Sequence, residues 1–265
     1  MLISLVAALN SQMDKVIISS LLSIETLGYY MLAVSISTGL TIIVNPISTA
    51  ILPRFTSLFS SGHIEKVSLL FSKISTFVAI LIFSFMANMI FFAEEILYTW
   101  TGDFKLAESS AVFLPFMAVA MGALSLAFIP FNVAIANGYT KINNILGILS
   151  LCLVLPGYWF ATKICGAIGA SVVYCFAQVI ITLVYIYIIN EKFVRIKLSE
   201  IYLKQILQPL ILSLIITYLF TLTPIFSHSD RWLMILSIGS SILITLMINI
   251  IILVPRKEIK YLLSK

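Results

Sequence analysis

The sequence predicts an all-α polytopic membrane protein of about eight transmembrane helices, and three observations carry that prediction. First, 61% of the 265 residues are apolar and only 10% are charged, where a soluble domain carries roughly a quarter. No single globular core of this length hides so much apolar side chain. Second, the apolar residues fall in continuous stretches long enough to cross a hydrocarbon core of ~30 Å as helices, which takes about 20 residues each. Third, the basic residues between those stretches segregate by side. Soluble, disordered and nucleic-acid-binding classes are excluded, because the residues behind the net charge of +5 lie between apolar blocks.

Eight stretches qualify, at about 1–22, 28–51, 73–92, 109–136, 142–162, 166–190, 206–223 and 232–254. They are too long and continuous for the ten-residue alternation of transmembrane strands. Placing successive connections on alternate sides gathers Arg54, Lys66, Lys73, Lys141, Lys192, Arg195, Lys197, Lys204, Arg256, Lys257, Lys260 and Lys265 on one side. The other side collects Lys105, Lys163 and Arg231. A miscounted span would scramble so lopsided a split. The basic side is therefore cytoplasmic by the positive-inside rule, with both termini there. The N-terminus lacks a signal-peptide pattern. The first stretch also begins without a polar or basic flank, which suggests the continuation of something longer. Cys152, Cys165 and Cys175 sit in or beside apolar blocks and are expected to be reduced, buried thiols without metal-site spacing.

Polar residues inside the apolar stretches form stripes, and polar groups in hydrocarbon usually face protein or a water-filled cavity. In the first stretch Asn10, Ser11, Asp14 and Lys15 fall within an arc of about 140° at 3.6 residues per turn. Asp14 is a default candidate for a transport cavity; the alternative is a pair satisfied by a neighbouring helix, with Lys15 reaching outward. In the second stretch Thr38, Thr41, Asn45, Ser48 and Thr49 share a face with Tyr30, beside Pro46. They suit either a cavity wall or a close helix contact. In the sixth stretch Ser171, Tyr174, Gln178, Thr182 and Tyr185 make one stripe. Gly166, Gly169 and Ala170 before it favour close packing, and Tyr185 and Tyr187 suit interface anchors. The fourth stretch carries Asn132 and Asn137 beyond Pro130 and is expected to bend.

Two segments of the basic side read as amphipathic and interfacial, 55–72 and 190–204. They could attract anionic headgroups or an anionic lipid-linked substrate. Ordinary positive-inside charge explains most of their basic residues. Arg54 stands out, because it follows Pro53 at an expected helix end and its guanidinium can fork onto phosphate. Phosphate-binding glycine loops, His/Cys clusters and Ser/His/Asp arrangements are not seen, and the longest outer connection is short. The residues point to a non-enzymatic protein with no cofactor.

The run Asp14-Lys15, then Leu27-Gly28-Tyr29-Tyr30, then ISTAILPR from Ile47 to Arg54 and Leu58-Phe59-Ser60, resembles the polysaccharide transporter family of O-antigen flippases. This is the Wzx type within the multidrug/oligosaccharidyl-lipid/polysaccharide (MOP) exporter superfamily. Glu95-Ile96-Leu97 to Trp100-Thr101-Gly102-Asp103, Ile135-Ala136-Asn137-Gly138 and Gly166-Ala167-Ile168-Gly169-Ala170 are similar to the same family. The resemblance implies the second six-helix lobe of a MATE-like transporter (1–190), a basic cytoplasmic linker (191–205), and two additional C-terminal helices with a basic tail (206–265). It also implies flipping of an undecaprenyl-pyrophosphate-linked oligosaccharide across a bacterial inner membrane. A missing N-terminal lobe or a second copy would complete the cavity. Membrane lipids and polysaccharide assembly proteins are the other expected partners. The expected substrate-binding or translocation residues are Asp14, Lys15, Asn10, Asn45, Arg54, Gln178 and Tyr174. Lys15 or Arg54 would meet the diphosphate, and Asp14 would serve possible coupling to a proton or sodium gradient. A MATE-like small-molecule exporter and an inactive truncated lobe are the alternatives, with an O-antigen polymerase or ligase a weaker one.

Overall fold

The computed structural model describes residues 2–222 and 231–254, with side chains omitted for 2–9 and 11. His228 and the expected basic tail from Arg256 lie outside the described residues. The helices are α1 (Leu2–Leu21), α2 (Ile24–Ser60), α3 (Ile64–Phe91), α4 (Ala93–Thr101), α5 (Phe104–Ala111), α6 (Leu114–Ala136), α7 (Lys141–Ile189), α8 (Gln208–Thr221) and α9 (Arg231–Leu253). Two π-helical stretches, Asn190–Val194 and Glu200–Leu207, join α7 to α8. The protein is an all-α polytopic membrane protein: six helices among the described residues are long and apolar enough to cross a membrane.

One of those six, Lys141–Val194, is two spans. It doubles back at Gly166, whose φ of 61° and ψ of −154° lie in a region that essentially only glycine enters. Beside the bend the arms 141–165 and 167–189 then pack closely. A Cβ on Gly169 would lie 2.2 Å from the Ala161 carbonyl oxygen, and one on Gly157 would lie 2.9 Å from Val173 Cγ1. Glycines eight and sixteen residues from their neighbours across one bend define an antiparallel helical hairpin. The close packing expected around Gly166–Ala170 is thus realised within one folded-back pair. With α1, which at 20 residues is ~30 Å long, the spans number eight among the described residues.

Several boundaries differ from expectation. The second stretch does not stop near residue 51 but runs to Ser60 through Pro46 and Pro53. Each proline forfeits one backbone hydrogen bond, a loss that neighbouring helices can accommodate in a membrane bundle. The 55–72 segment is consequently no separate interfacial helix. It is the end of α2 and the start of α3, joined at Ser61-Gly62-His63, with Phe55, Val67 and Phe71 buried. The outer connection folds into α4 and α5; Asp103 caps α5 by accepting from the Leu106 N–H at 3.1 Å.

The bundle has a basic end and a far end. At the basic end Phe59 and Tyr139 both pack edge-on against Phe193, with centroids 6.4 and 5.6 Å apart. At the far end the Arg231 guanidinium donates from Nε to the Thr99 carbonyl at 2.8 Å. Apolar packing is split accordingly. One core, with Leu40, Val44, Phe71, Ile82 and Ile186, runs from the basic end past the middle of α3. The other, with Ile18, Tyr30, Leu97, Phe113 and Met117, fills the far half. Cys152 and Cys165 are free thiols on the exposed surface, contrary to the expected burial; an apolar neighbourhood in a membrane helix includes the lipid-facing side.

Candidate functional site

A cavity of about 610 Å³ lies where α1, α2, α6 and both arms of α7 converge. Its volume falls in the range that encloses a drug-sized ligand. It occupies the basic half of the bundle: Asn143, two residues past Lys141, and Leu52, two before Arg54, are among its walls. Toward the far half its walls include Tyr158 and Tyr174, each eight residues from the bend at Gly166.

Each helix brings its polar stripe. From α2 come Asn45, Ser48 and Thr49, and from α6 Asn132. The second arm of α7 supplies Tyr174, Gln178, Thr182 and Tyr185, and the first arm Asn143, Asn144, Ser150 and Tyr158. Five asparagines, a glutamine and a set of hydroxyls thus share a mostly apolar wall with Phe128, Phe131, Leu124, Ile135, Leu146 and Ile181, and among the described residues no Asp, Glu, His, Lys or Arg lines it. Three of these amides, Asn10, Asn132 and Asn143, are held by their neighbours. Asn132 Nδ2 donates to the Ser48 hydroxyl at 2.9 Å. Asn10 Nδ2 donates to the Gly147 carbonyl, and the Ser150 hydroxyl donates to Asn10 Oδ1, both at 3.1 Å. The Tyr185 hydroxyl donates to Asn143 Oδ1 at 2.7 Å. Tyr185 is therefore a wall residue tied to the opposite arm rather than an interface anchor; Tyr187 is exposed. Amides with spare donors and acceptors, set among aromatic and aliphatic faces, suit a ligand that carries both hydroxyl groups and apolar surface.

Asp14 sits behind this wall and is 5% exposed. Its Oδ2 accepts from the Tyr30 hydroxyl at 2.5 Å. Its Oδ1, and the hydroxyl of fully buried Tyr158, have no hydrogen-bond partner among the described residues. The rings of Tyr158 and Tyr174 lie within electrostatic range of the carboxylate. Asp14, Tyr30, Tyr158 and Tyr174 thus form one cluster, from which the two tyrosines of α7 reach the cavity.

Of the seven expected site residues, Asn10, Asn45, Tyr174 and Gln178 line the cavity and Asp14 backs it. Lys15 and Arg54 do not line it. Adjacent residues on a helix point about 100° apart, so Lys15 turns away from Asp14, and its Nζ donates to Gln12 Oε1 at 3.1 Å. Arg54 is exposed at the basic end, because α2 continues past Pro53 instead of ending there. The stripe on the first arm of α7 escaped sequence reading, although Asn143, Ser150 and Tyr158 stand at helical spacing with Gly147 and Val154. The two apolar members diluted the signal.

Fold and site together define a polytopic helical membrane protein with a largely apolar cavity that carries amides and hydroxyls and, among the described residues, no charged side chain. Residues 1–104 match the model of a family described as polysaccharide biosynthesis protein. The match spans α1 to α4 and includes Asp14, Tyr30, Asn45 and Arg54. No curated protein and no solved structure matches the chain.

Proposed function

We propose that the protein acts in polysaccharide transport, flipping an undecaprenyl-pyrophosphate-linked oligosaccharide, such as an O-antigen repeat unit, from the cytoplasmic to the periplasmic leaflet of a bacterial inner membrane. The chain serves as one lobe, completed by an N-terminal lobe or a second copy, and works beside the polysaccharide assembly proteins. It is a transporter rather than an enzyme. The observation that carries this reading is the wall chemistry: amides and hydroxyls from five helical segments set among aromatic and aliphatic side chains, with no charged side chain among the described residues. Such a wall hydrogen-bonds sugar hydroxyls and stacks on sugar faces. The family match over residues 1–104 supports the polysaccharide cargo.

The basic end is cytoplasmic in this reading, so the cavity loads from the leaflet where the oligosaccharide is assembled. Asp14 is the coupling group. A proton or sodium ion arriving at its unpartnered oxygen would loosen the Tyr30 contact and bias α1 against α2. The carboxylate is worth more in this role than at a surface, because low dielectric strengthens its interactions.

The test is complementation. Cells lacking the protein are supplied with wild-type, Asn45→Leu or Gln178→Leu chains, together with any separate partner lobe, and surface polysaccharide is measured. The expected result is restoration by wild type and an about tenfold loss in each variant. Restoration by both variants would refute the sugar cavity. Drug resistance conferred by the wild type without polysaccharide would favour a MATE-like small-molecule exporter.

A further inference from the structure

The cavity leaves one requirement of an anionic lipid unmet, since among the described residues no cation lines it. The basic end supplies cations in an unusual form. Directly after α7, the chain turns through Asn190–Val194 and reverses at Arg195. Arg195 has φ 60° and ψ 36° and is the non-glycine residue with positive φ among the described residues. Glycine takes this left-handed conformation freely, and an arginine takes it at a cost. An arginine in a conformation that glycine would take more easily points to a use for its side chain.

The turn is held from four sides. The Arg195 N–H donates to the Asn190 carbonyl at 2.7 Å. The buried Asn190 side chain brackets Ile196: its Nδ2 donates to the Ile196 carbonyl at 2.8 Å, and its Oδ1 accepts from the Ile196 N–H at 3.0 Å. The Ser68 hydroxyl of α3 donates to the Val194 carbonyl at 2.5 Å. Phe193 wedges between Phe59 and Tyr139. Beside this wedge, Lys192 Nζ stands 3.5 Å from the Tyr139 ring centroid. Lys192, Arg195 and Lys197 are all exposed on this fixed frame. The acidic neighbours are Glu191 and Glu200, fewer than the four basic residues of 190–204. Tyr139 leads into α7 four residues before Asn143, so the frame stands at the cavity's end of the bundle.

We infer that the 190–197 turn is a preorganised docking site for the phosphate of a lipid headgroup, with Arg195 as its fork and Lys192 and Lys197 as flanking cations. A guanidinium meets two phosphate oxygens at once, and a rigid backbone spares the ordering cost of a flexible loop. The same chemistry fits an ordinary anionic phospholipid and a polyprenyl diphosphate. The second source rests on the transport reading above; the first does not.

Arg195→Gly tests the site without threatening the fold, since glycine relaxes the left-handed backbone. Full-length protein in neutral detergent is titrated with phosphatidylglycerol, with a polyprenyl diphosphate and with phosphatidylcholine, and bound lipid is counted by native mass spectrometry. One basic residue near an anionic headgroup contributes about fivefold in affinity. The expected result is an about fivefold weaker retention in the glycine variant of phosphatidylglycerol, of the diphosphate or of both, with phosphatidylcholine unchanged. Loss confined to the diphosphate assigns the site to the transported lipid. Loss of phosphatidylglycerol assigns it to the surrounding bilayer, and does so even if the transport reading fails. Lys192→Gln is the second variant and is expected to move the same lipids in the same direction. Equal retention of every lipid by wild type and both variants would overturn the proposal.

Discussion

Two regions of the bundle carry the same kinds of polar residue at the same helical spacing and use them in opposite ways. Around the cavity, stripes from α1, α2, α6 and the two arms of α7 surround open space. Between α8 and α9 they close on each other. Ser237, Ser241, Thr245 and Asn249 recur at every fourth position of α9 and are all buried. Ser213 and Thr217 of α8 are buried opposite them, and Asn249 Nδ2 donates to the Ser213 hydroxyl at 3.1 Å. That bond sets an antiparallel register in which Thr217 lies level with Thr245. The difference is one of geometry. Two facing helices with small side chains can approach until the seam closes. Five helical segments arranged in a ring cannot all touch at the centre. A polar stripe in an apolar helix therefore marks an inward face, and the number of helices sharing that face decides whether it is wall or seam.

The comparison breaks most severely if the hairpin that builds half the wall is forced open. Gly169→Ala would place a methyl group against the Ala161 carbonyl, a backbone atom that cannot step aside. A loss of about 3 kcal/mol is expected, at the upper end for overpacking, visible as a lowered midpoint in thermal unfolding of detergent-purified protein. Gly157→Ala meets only the Val173 side chain and should cost about 1 kcal/mol. Equal penalties at the two sites would contradict the tight crossing near Gly166.

Tyr30→Phe comes next. It removes the hydroxyl that Asp14 accepts from, in a site where Tyr30 is fully buried. A hydrogen bond to a charged group carries about 1.5–3 kcal/mol, and a drop of that size in unfolding free energy is expected. Asp14→Asn should restore part of the stability in the double variant, because an amide tolerates a missing donor better than a carboxylate. Additive losses in that cycle would show the pair to be uncoupled.

In the seam the sign reverses. Thr245→Val removes a buried hydroxyl that has no partner among the described residues and keeps the shape. It should raise stability by about 1 kcal/mol and leave surface polysaccharide unchanged. A fall in polysaccharide would make the seam part of the transport path.

The smallest effect concerns Glu95 at the far end, half-buried on α4. Burial pushes its carboxyl above the usual carboxylate range, with Glu94 adding to the rise. A raised folded-state pKa means that the folded protein favours the protonated form. Stability therefore falls as pH rises through that pKa, and Glu95→Gln should flatten a slight decline as pH rises above the ordinary carboxylate range. The same decline in the variant would place its origin elsewhere.

Much of this was legible in the sequence, for physical reasons. Continuous apolar runs and one-sided basic residues fix the spans, because both follow from the bilayer as solvent. The stripes of α2 and the second arm of α7 expose Asn45 and Gln178 by periodicity alone. What periodicity cannot give is azimuth relative to neighbours. Asp14 and Lys15 share a sequence neighbourhood, yet one is buried against Tyr30 and the other turns toward Gln12. Proline is an equally partial guide. Pro53 suggested a helix end and a poised Arg54, whereas α2 continues to Ser60 and the fixed arginine is Arg195. The left-handed turn that holds it depends on one asparagine bridging six residues, which no spacing rule isolates.

The most direct test of the central claim compares one wall residue with one seam residue for access to water. In a background with Cys152, Cys165 and Cys175 replaced, Gln178→Cys and Thr245→Cys are each treated with a membrane-impermeant maleimide in inside-out vesicles. The account predicts modification of the wall variant, slowed by lipid-linked oligosaccharide, and no modification of the seam variant. Equal modification of both, or a wall thiol indifferent to the oligosaccharide, would contradict it.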